Sequence, residues 1–238
     1  MNRGLYNATS AMLTIQKHMQ STANNISNLN TTAFKREQSI EGTFDKMIVY
    51  YNNQKIGSIN SKVGQRDNVT IHTQGSFKNT ERNLDFAIGG EGFFKVQDAN
   101  GNIRYTRNGI FYKDELGQIV DGNGLYLMGK NGRIVISNSN NSISIDKYGN
   151  ISIGENKIDT IDVVDLQKAE KTGLGYYKAQ SEEPSQSEVF QGFLEMSNVD
   201  MSKEMSDLII LQRSYQFNQK MVMSQDELNK KVISDLLK

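Results

Sequence analysis

His18 and His72 are the two histidines of this chain, and neither has a second His, a Cys or a paired acidic residue at metal-ligand spacing. Both read as ordinary polar residues, His18 on the wet side of a helix and His72 in a strand. Asp98-Ala-Asn-Gly-Asn102 resembles the opening of a calcium loop, but no acidic residue follows to close the site, so a hairpin turn is the better reading. Gly89-Gly-Glu-Gly92 is glycine-rich and would suit a phosphate only if it opened a helix. It opens the strand-like run Phe93–Val96 instead. The absence of cysteine removes disulfides, thiolate metal sites and cysteine nucleophiles together. With 27 basic and 27 acidic residues the formal net charge is zero, and no basic run marks a nucleic-acid surface. No catalytic, cofactor-binding or metal constellation rises above background, so the sequence reads as non-enzymatic, with no cofactor.

The elements that position these residues are divided by glycine. Thirteen of the 20 glycines lie between Gly75 and Gly154, whereas residues 1–35 hold only Gly4 and residues 193–238 none. Helix breakers are thus crowded in the middle and absent from the ends, which predicts helix, a β-rich middle, then helix. Leu5, Ala8, Met12, Ile15, Met19, Thr22, Ile26 and Leu29 recur with the 3-4 spacing of a heptad seam, over roughly 40 Å of helix. One narrow apolar stripe with wet flanks asks for another helix as its partner.

From Asn198 onward some 40 residues run without Gly or Pro, with Asn198 or Asp200 available as N-cap. Met201, Met205, Leu208, Tyr215 and Val222 form one stripe, broken by Gln212 and Gln219; Ile210, Phe217, Met221, Leu228 and Val232 form another. If one stripe meets the first helix, the second is left for contacts between subunits. The apolar runs are short, as at Leu208–Leu211, and none spans a bilayer. Residues 1–20 lack the apolar core of a cleavable signal peptide, so export, if it occurs, is expected to use another route.

Between the helices, alternating pairs such as Phe94/Val96, Ile103/Tyr105, Leu125/Leu127 and Ile151/Ile153 read as short strands. Asn-Gly and Asp-Gly pairs fall between them, and both tolerate the positive φ that type I′ hairpins need. A compact antiparallel β domain is expected. Residues 36–75 are polar and weakly patterned, and both an extended hairpin and a flexible arm fit them.

Four segments carry a resemblance. Residues 23–36 (Ala-Asn-Asn-Ile-Ser-Asn-Leu-Asn-Thr-Thr-Ala-Phe-Lys-Arg), with Asn24, Asn25, Asn28 and Phe34, resemble the N-terminal signature of bacterial flagellar rod and hook proteins. Residues 84–94, holding Asp85, Gly92 and Phe93, are similar to that family's central motif, and residues 105–111 with Gly109, followed by 117–122, to the next. Residues 191–200 with Glu195, Ser197 and Asn198, then Glu204 and residues 212–220 with Arg213, resemble the C-terminal signature. Ala33 stands where the family usually has Gly, a departure that bears on a positive-φ turn there. Residues 43–66 occupy the region that separates straight rod from curved hook in the family.

The resemblance implies a structural subunit of the flagellar basal-body rod, polymerising helically to form the drive shaft between motor and hook. It implies assembly with copies of itself and with other axial proteins, and passage through the flagellar type III export apparatus, without nucleic-acid or integral membrane contact. The implied fold class is α+β: long terminal helices paired as a coiled coil, a small all-β middle domain, and an extended β or loop linker. The expected division gives residues 1–35 and 195–238 to the helical inner tube, 36–80 and 182–194 to the connection, and 81–181 to the outer β domain. Leu5, Ala8, Met12, Ile15, Met19, Ile26, Leu29, Met201, Met205, Leu208, Tyr215 and Val222 are the expected assembly seam. A free-standing adhesin-like stalk, with the helices closed into a bundle, is the competing reading.

Overall fold

The structure is a computed structural model and describes residues 3–51, 54–65, 68–136, 143–154, 156–173 and 175–236. The chain divides into two compact units. One contains residues 1–28, 36–71 and 199–238, and the other residues 29–35 and 72–198.

The first unit holds both helices. Helix α1 spans Arg3–Ser27 and helix α2 spans Met201–Leu236, in the two stretches free of helix breakers. Asp200 is the N-cap of α2: its Oδ1 accepts from the backbone N–H of Ser202 at 2.9 Å and of Lys203 at 3.2 Å. The polar stretch after α1 forms a long antiparallel hairpin, Glu41–Tyr51 against Gln54–Gln65, with Thr43 opposite Val63 and Ile48 opposite Ser58. Of the two readings left open for this region, the hairpin is the one observed. Glu37–Gln38 pairs with Val69–Thr70 beside it.

The second unit is β throughout. Its central strand, Phe93–Gln97, pairs along one edge with Ile103–Thr106. Along the other edge it meets Val163–Gln167 at Phe93 and Phe94 and Tyr126–Gly129 at Val96 and Gln97. The sheet extends through Ile119–Asp121 to Phe111–Lys113 on one side and through Tyr176–Lys178 to Glu170–Gly173 on the other. Phe86–Gly89 pairs with Glu188–Gln191, and Ile143–Ile145, Asn150–Ile153 and Asn156–Thr160 make a three-stranded sheet. Strand alternation sends Phe86, Ile88, Phe94, Val96, Phe111, Ile119, Leu127, Ile134 and Ile151 into one core, where several sheets meet face to face.

This corrects the expected fold class. The middle is not a small all-β domain beside long helices paired as a coiled coil. It is a large β-sandwich region whose strands run from Phe77 to Glu195, with one helix at each end of the chain. Two physical reasons account for the difference. Strands such as Glu170–Gly173 and Ser181–Pro184 are exposed along their whole length and carry no apolar alternation to announce them. On α1, the buried positions are mostly small or polar, namely Ala8, Thr14, Ser21, Thr22 and Asn25, while Leu5 and Leu13 are exposed. The buried stripe therefore departs from the apolar heptad and lacks the large a and d residues that knobs-into-holes packing needs.

The turns are also corrected. None of the asparagines in the Asn-Gly pairs has positive φ, so the type I′ geometry is not used. One pattern recurs four times instead: Asp98, Asp114, Asp121 and Asp146, each followed three residues later by a glycine with φ between 76° and 89°. Each Asp Oδ1 accepts from the backbone N–H groups two and four residues on, at 2.7–3.0 Å. Each Asp carbonyl accepts from the glycine N–H at 3.0–3.1 Å. This is a type I turn with a G1 bulge, in which the glycine supplies the left-handed residue and the Asp side chain fixes the turn.

Candidate functional site

Two buried polar clusters hold charged residues of the signature segments, one in each unit. In the β unit, Glu195 is 1% exposed and stands in the short strand Phe193–Glu195. Its Oε1 accepts from Lys35 Nζ at 2.6 Å and from the Gly75 N–H at 2.9 Å, and its Oε2 lies 3.0 Å from Arg107 Nε. Lys35 Nζ also donates to the Thr73 carbonyl at 2.9 Å. The rest of the Arg107 guanidinium donates to the carbonyls of Gly92 and Gly90, each at 2.5 Å. The glycine run 89–92 thus holds a cation through its carbonyls, not an anion through its N–H groups. A Cβ on Gly92 would lie 2.9 Å from Val163 Cγ1. Burial lowers the pKa values of Lys35 and Arg107, and the Glu195 carboxylate opposes the shift in both.

The same cluster draws in the chain around Ala33. Its N–H donates to the Glu195 carbonyl at 2.8 Å, and the Asn198 N–H donates to the Phe34 carbonyl at 3.3 Å. Asn198 Nδ2 reaches the Thr73 carbonyl at 2.9 Å, and Lys171 Nζ stands 4.9 Å from the centre of the Phe34 ring. Ala33 has φ of 57°. The left-handed turn is therefore present although its residue is not glycine, at a cost of about 1–2 kcal/mol that the surrounding bonds offset.

In the helical unit the buried acid is Glu204, on the first turn of α2. Arg36 Nε donates to its Oε1 at 2.5 Å and Asn25 Nδ2 to its Oε2 at 3.1 Å. The Asn25 carboxamide also pairs with the backbone of Glu37 in both directions, at 2.9 Å each. Ser21 Oγ donates to the same Glu37 carbonyl. A cavity of about 250 Å³ adjoins this cluster, lined among others by His18, Thr22, Asp207 and Ile210. Both clusters are networks of ion pairs and hydrogen bonds. Among the described residues no group of three or more His, Asp or Glu side chains could hold a metal ion. Both oxygens of Asp98 are used by its own turn, the second by Asn102 Nδ2 at 2.8 Å.

The expected seam residues are dispersed. Ala8 is buried, and Met12, Ile15, Met19 and Ile26 are half-buried on α1. Leu29 lies beyond the end of the helix, in the β unit. Leu208, Tyr215 and Val222 are half-buried on α2, but Met201 and Met205 turn outward, at 45% and 46% exposed. Ile210, Phe217, Met221, Leu228 and Val232 are all exposed, forming a continuous apolar row along α2. Of the signature residues, Asn25, Asp85, Gly92, Phe93, Gly109 and Glu195 are buried. Asn28, Phe34, Ser197 and Asn198 are half-buried, while Asn24 and Arg213 are exposed. Gly109 is required sterically, because a Cβ there would lie 1.6 Å from the Phe86 carbonyl oxygen. Lys35, Arg36 and Arg107 organise the clusters from within the signature segments, beside Glu204, which the C-terminal signature already names. The available signal was that residues 23–36 are uncharged except for the closing Lys35-Arg36 pair, while the charges of residues 191–200 are both acidic.

Comparison with known proteins places these observations. A family model described as flagellar hook protein FlgE/F/G D1 domain matches residues 87–153, and one described as flagellar basal body rod FlgEFG protein C-terminal matches residues 191–236. The chain is 31% identical to the flagellar basal-body rod protein FlgG of Bacillus subtilis, over 98% of this chain and 99% of the relative. It is 33% identical to the flagellar basal-body rod protein FlgF of Caulobacter vibrioides, over 99% and 98%. A third relative, the flagellar hook-basal body complex protein FlhP of Bacillus subtilis, is 29% identical over 96% and 97%. These relatives are structural proteins, not enzymes, and they leave the stalk-module reading without support. The chain belongs to the flagellar basal-body rod protein family, as a structural subunit located in the flagellar basal body that assembles with other rod and hook proteins.

Proposed function

We propose that this rod subunit joins its neighbours, including copies of itself, in a helical array through its terminal segments, residues 1–35 and 195–238. Residues 36–80 and 182–194 serve as the connection, and residues 81–181 as the β-rich outer domain. The observation that carries this reading is the exposed row Ile210, Phe217, Met221, Leu228 and Val232. Such a row exceeds the scattered exposure normal for a free-standing protein, and repeating neighbours would bury it. The outward methionines Met201 and Met205 suit the same role, since thioethers adapt to imperfectly repeated surroundings. The subunit reaches its place through the flagellar type III export apparatus. Freedom from cysteine supports that route, because a chain that leaves the cytoplasm then has no thiol to mispair.

The test is a strain carrying Phe217→Asp together with Met221→Asp. Swimming should be abolished while the purified variant keeps the thermal transition of its β unit and still leaves the cytoplasm. A motile double variant would overturn the reading.

A further inference from the structure

Four Asn-Gly pairs stand in this chain, at Asn100, Asn108, Asn123 and Asn131. Asn-Gly is the pair most open to attack on a side-chain amide by the chain itself, because glycine has no Cβ to hinder its own nitrogen. The fold treats the four differently. Asn108 accepts from the Ile110 N–H at 3.2 Å, and its glycine is buried with no room to move against Phe86. Asn123 Nδ2 donates to Tyr176 Oη at 2.7 Å, and that hydroxyl is itself bound to the buried Asp121. Asn131 Nδ2 donates to the buried Asp159 at 2.9 Å.

Asn100 has none of these restraints. It sits at the third position of the Asp98 turn, exposed, with a carboxamide that makes no hydrogen bond among the described residues. A Cβ on Gly101 would meet nothing within 4 Å. The bonds that hold this dipeptide are exposed ones, from the Gly101 N–H to the Asp98 carbonyl at 3.1 Å, from the Asn100 N–H to Asp98 Oδ1 at 2.9 Å and from Gln97 Nε2 to the Gly101 carbonyl at 3.3 Å. Opening them disturbs no buried group, so the reactive conformation is reached by local fluctuation.

We propose that Asn100 is a site of spontaneous deamidation, a slow covalent change that folding confines to this one turn. The Gly101 nitrogen attacks Cγ of Asn100; the N–Cγ bond forms, the Cγ–Nδ2 bond breaks, and ammonia departs with the proton from the Gly101 nitrogen. Water then opens the five-membered imide at either carbonyl, leaving aspartate or isoaspartate. Both products place a new carboxylate beside Asp98, and isoaspartate adds a backbone atom within the loop joining Phe93–Gln97 to Ile103–Thr106. The hairpin next to the core strand thereby records the age of the subunit.

The full-length purified chain is incubated in warm, mildly alkaline buffer, sampled over weeks, digested and analysed by mass spectrometry, with a parallel sample in concentrated urea. Folded protein should gain the mass of one deamidation at Asn100 about tenfold or more faster than at the other three sites. The four rates should converge in urea. The accompanying acidic shift on isoelectric focusing should vanish in Asn100→Gln. Equal rates in the folded chain, a different site reacting first, the same ranking in urea, or an acidic shift that survives Asn100→Gln would each overturn the proposal.

Discussion

Glu195 is one carboxylate shared by two buried cations, and its removal would strand both. Leaving paired charges without their counter-ion costs about 3–5 kcal/mol, so Glu195→Ala should lower the unfolding free energy of the β unit by that amount in urea titration. A loss below about 1 kcal/mol would show that water solvates Lys35 and Arg107 after all. His72 gives the same cluster a pH dependence. Its ring stands edge-on to Phe93 and Tyr177, at 5.7 Å and 5.5 Å between centres. Although the residue keeps an exposed edge, its pKa lies below 6.5 because its ring is partly desolvated, reinforced by Lys35 and Arg107. The unfolded chain then binds the proton more readily than the folded one. Stability should therefore fall as pH drops through 6.5, and level off below the folded-state pKa. Melting temperatures measured between about pH 7.5 and about pH 5 should decline in the native protein and flatten in His72→Phe. A variant that declines just as steeply would assign the effect to other groups.

At the scale of elements, the four Asp-x-x-Gly turns offer an internal comparison. Asp146 is exposed and fixes only its own turn, whereas Asp121 is buried and also accepts from the Tyr176 hydroxyl. Asp146→Ala should cost about 1 kcal/mol, and Asp121→Ala about 3 kcal/mol because it leaves the Tyr176 hydroxyl and the Leu125 N–H without their acceptor in the interior. Equal losses, measured by chemical denaturation, would mean that the turn rather than the buried partner sets the cost. These turns also show what the sequence did and did not disclose. The helices were legible because glycine and proline stay out of 5–35 and 193–238, and the core strands because Phe94/Val96 or Ile151/Ile153 alternate. The turn type was not, because it is set by an aspartate three residues before a glycine, bonding to its own backbone, and not by the Asn-Gly pair. The full extent of the β region was hidden because exposed strands such as Glu170–Gly173 have no apolar rhythm. Lys35 and Arg107 escaped for a different reason: charge is ordinarily assigned to the surface, and only long-range pairing shows that these two are inside.

Across the whole molecule, burial is distributed unevenly. The β unit encloses Phe86, Phe94, Phe111, Ile119 and Leu127 completely, while much of the apolar surface of α2 remains uncovered. Helices without a packed face are marginal in water. Amide exchange on the dilute protein should accordingly be slowest in Phe86–Gly89, Phe93–Gln97 and Ile119–Asp121, and fast along α2 beyond Gln212. Protection of α2 equal to that of the core strands would mean that the subunit holds its helix without neighbours.

The repeated aspartate turns bear, finally, on how fast the chain can find its fold. Each closes a loop of a few residues using bonds supplied by its own five-residue segment, so the loop-closure entropy is small and a hairpin can form in about 1–10 μs. The contact between Val163 and Phe94 has no such help and must wait for distant strands to meet. The turns are thus early local decisions that shorten the search preceding that late step, and their aspartates and glycines bear on folding rate as well as on stability.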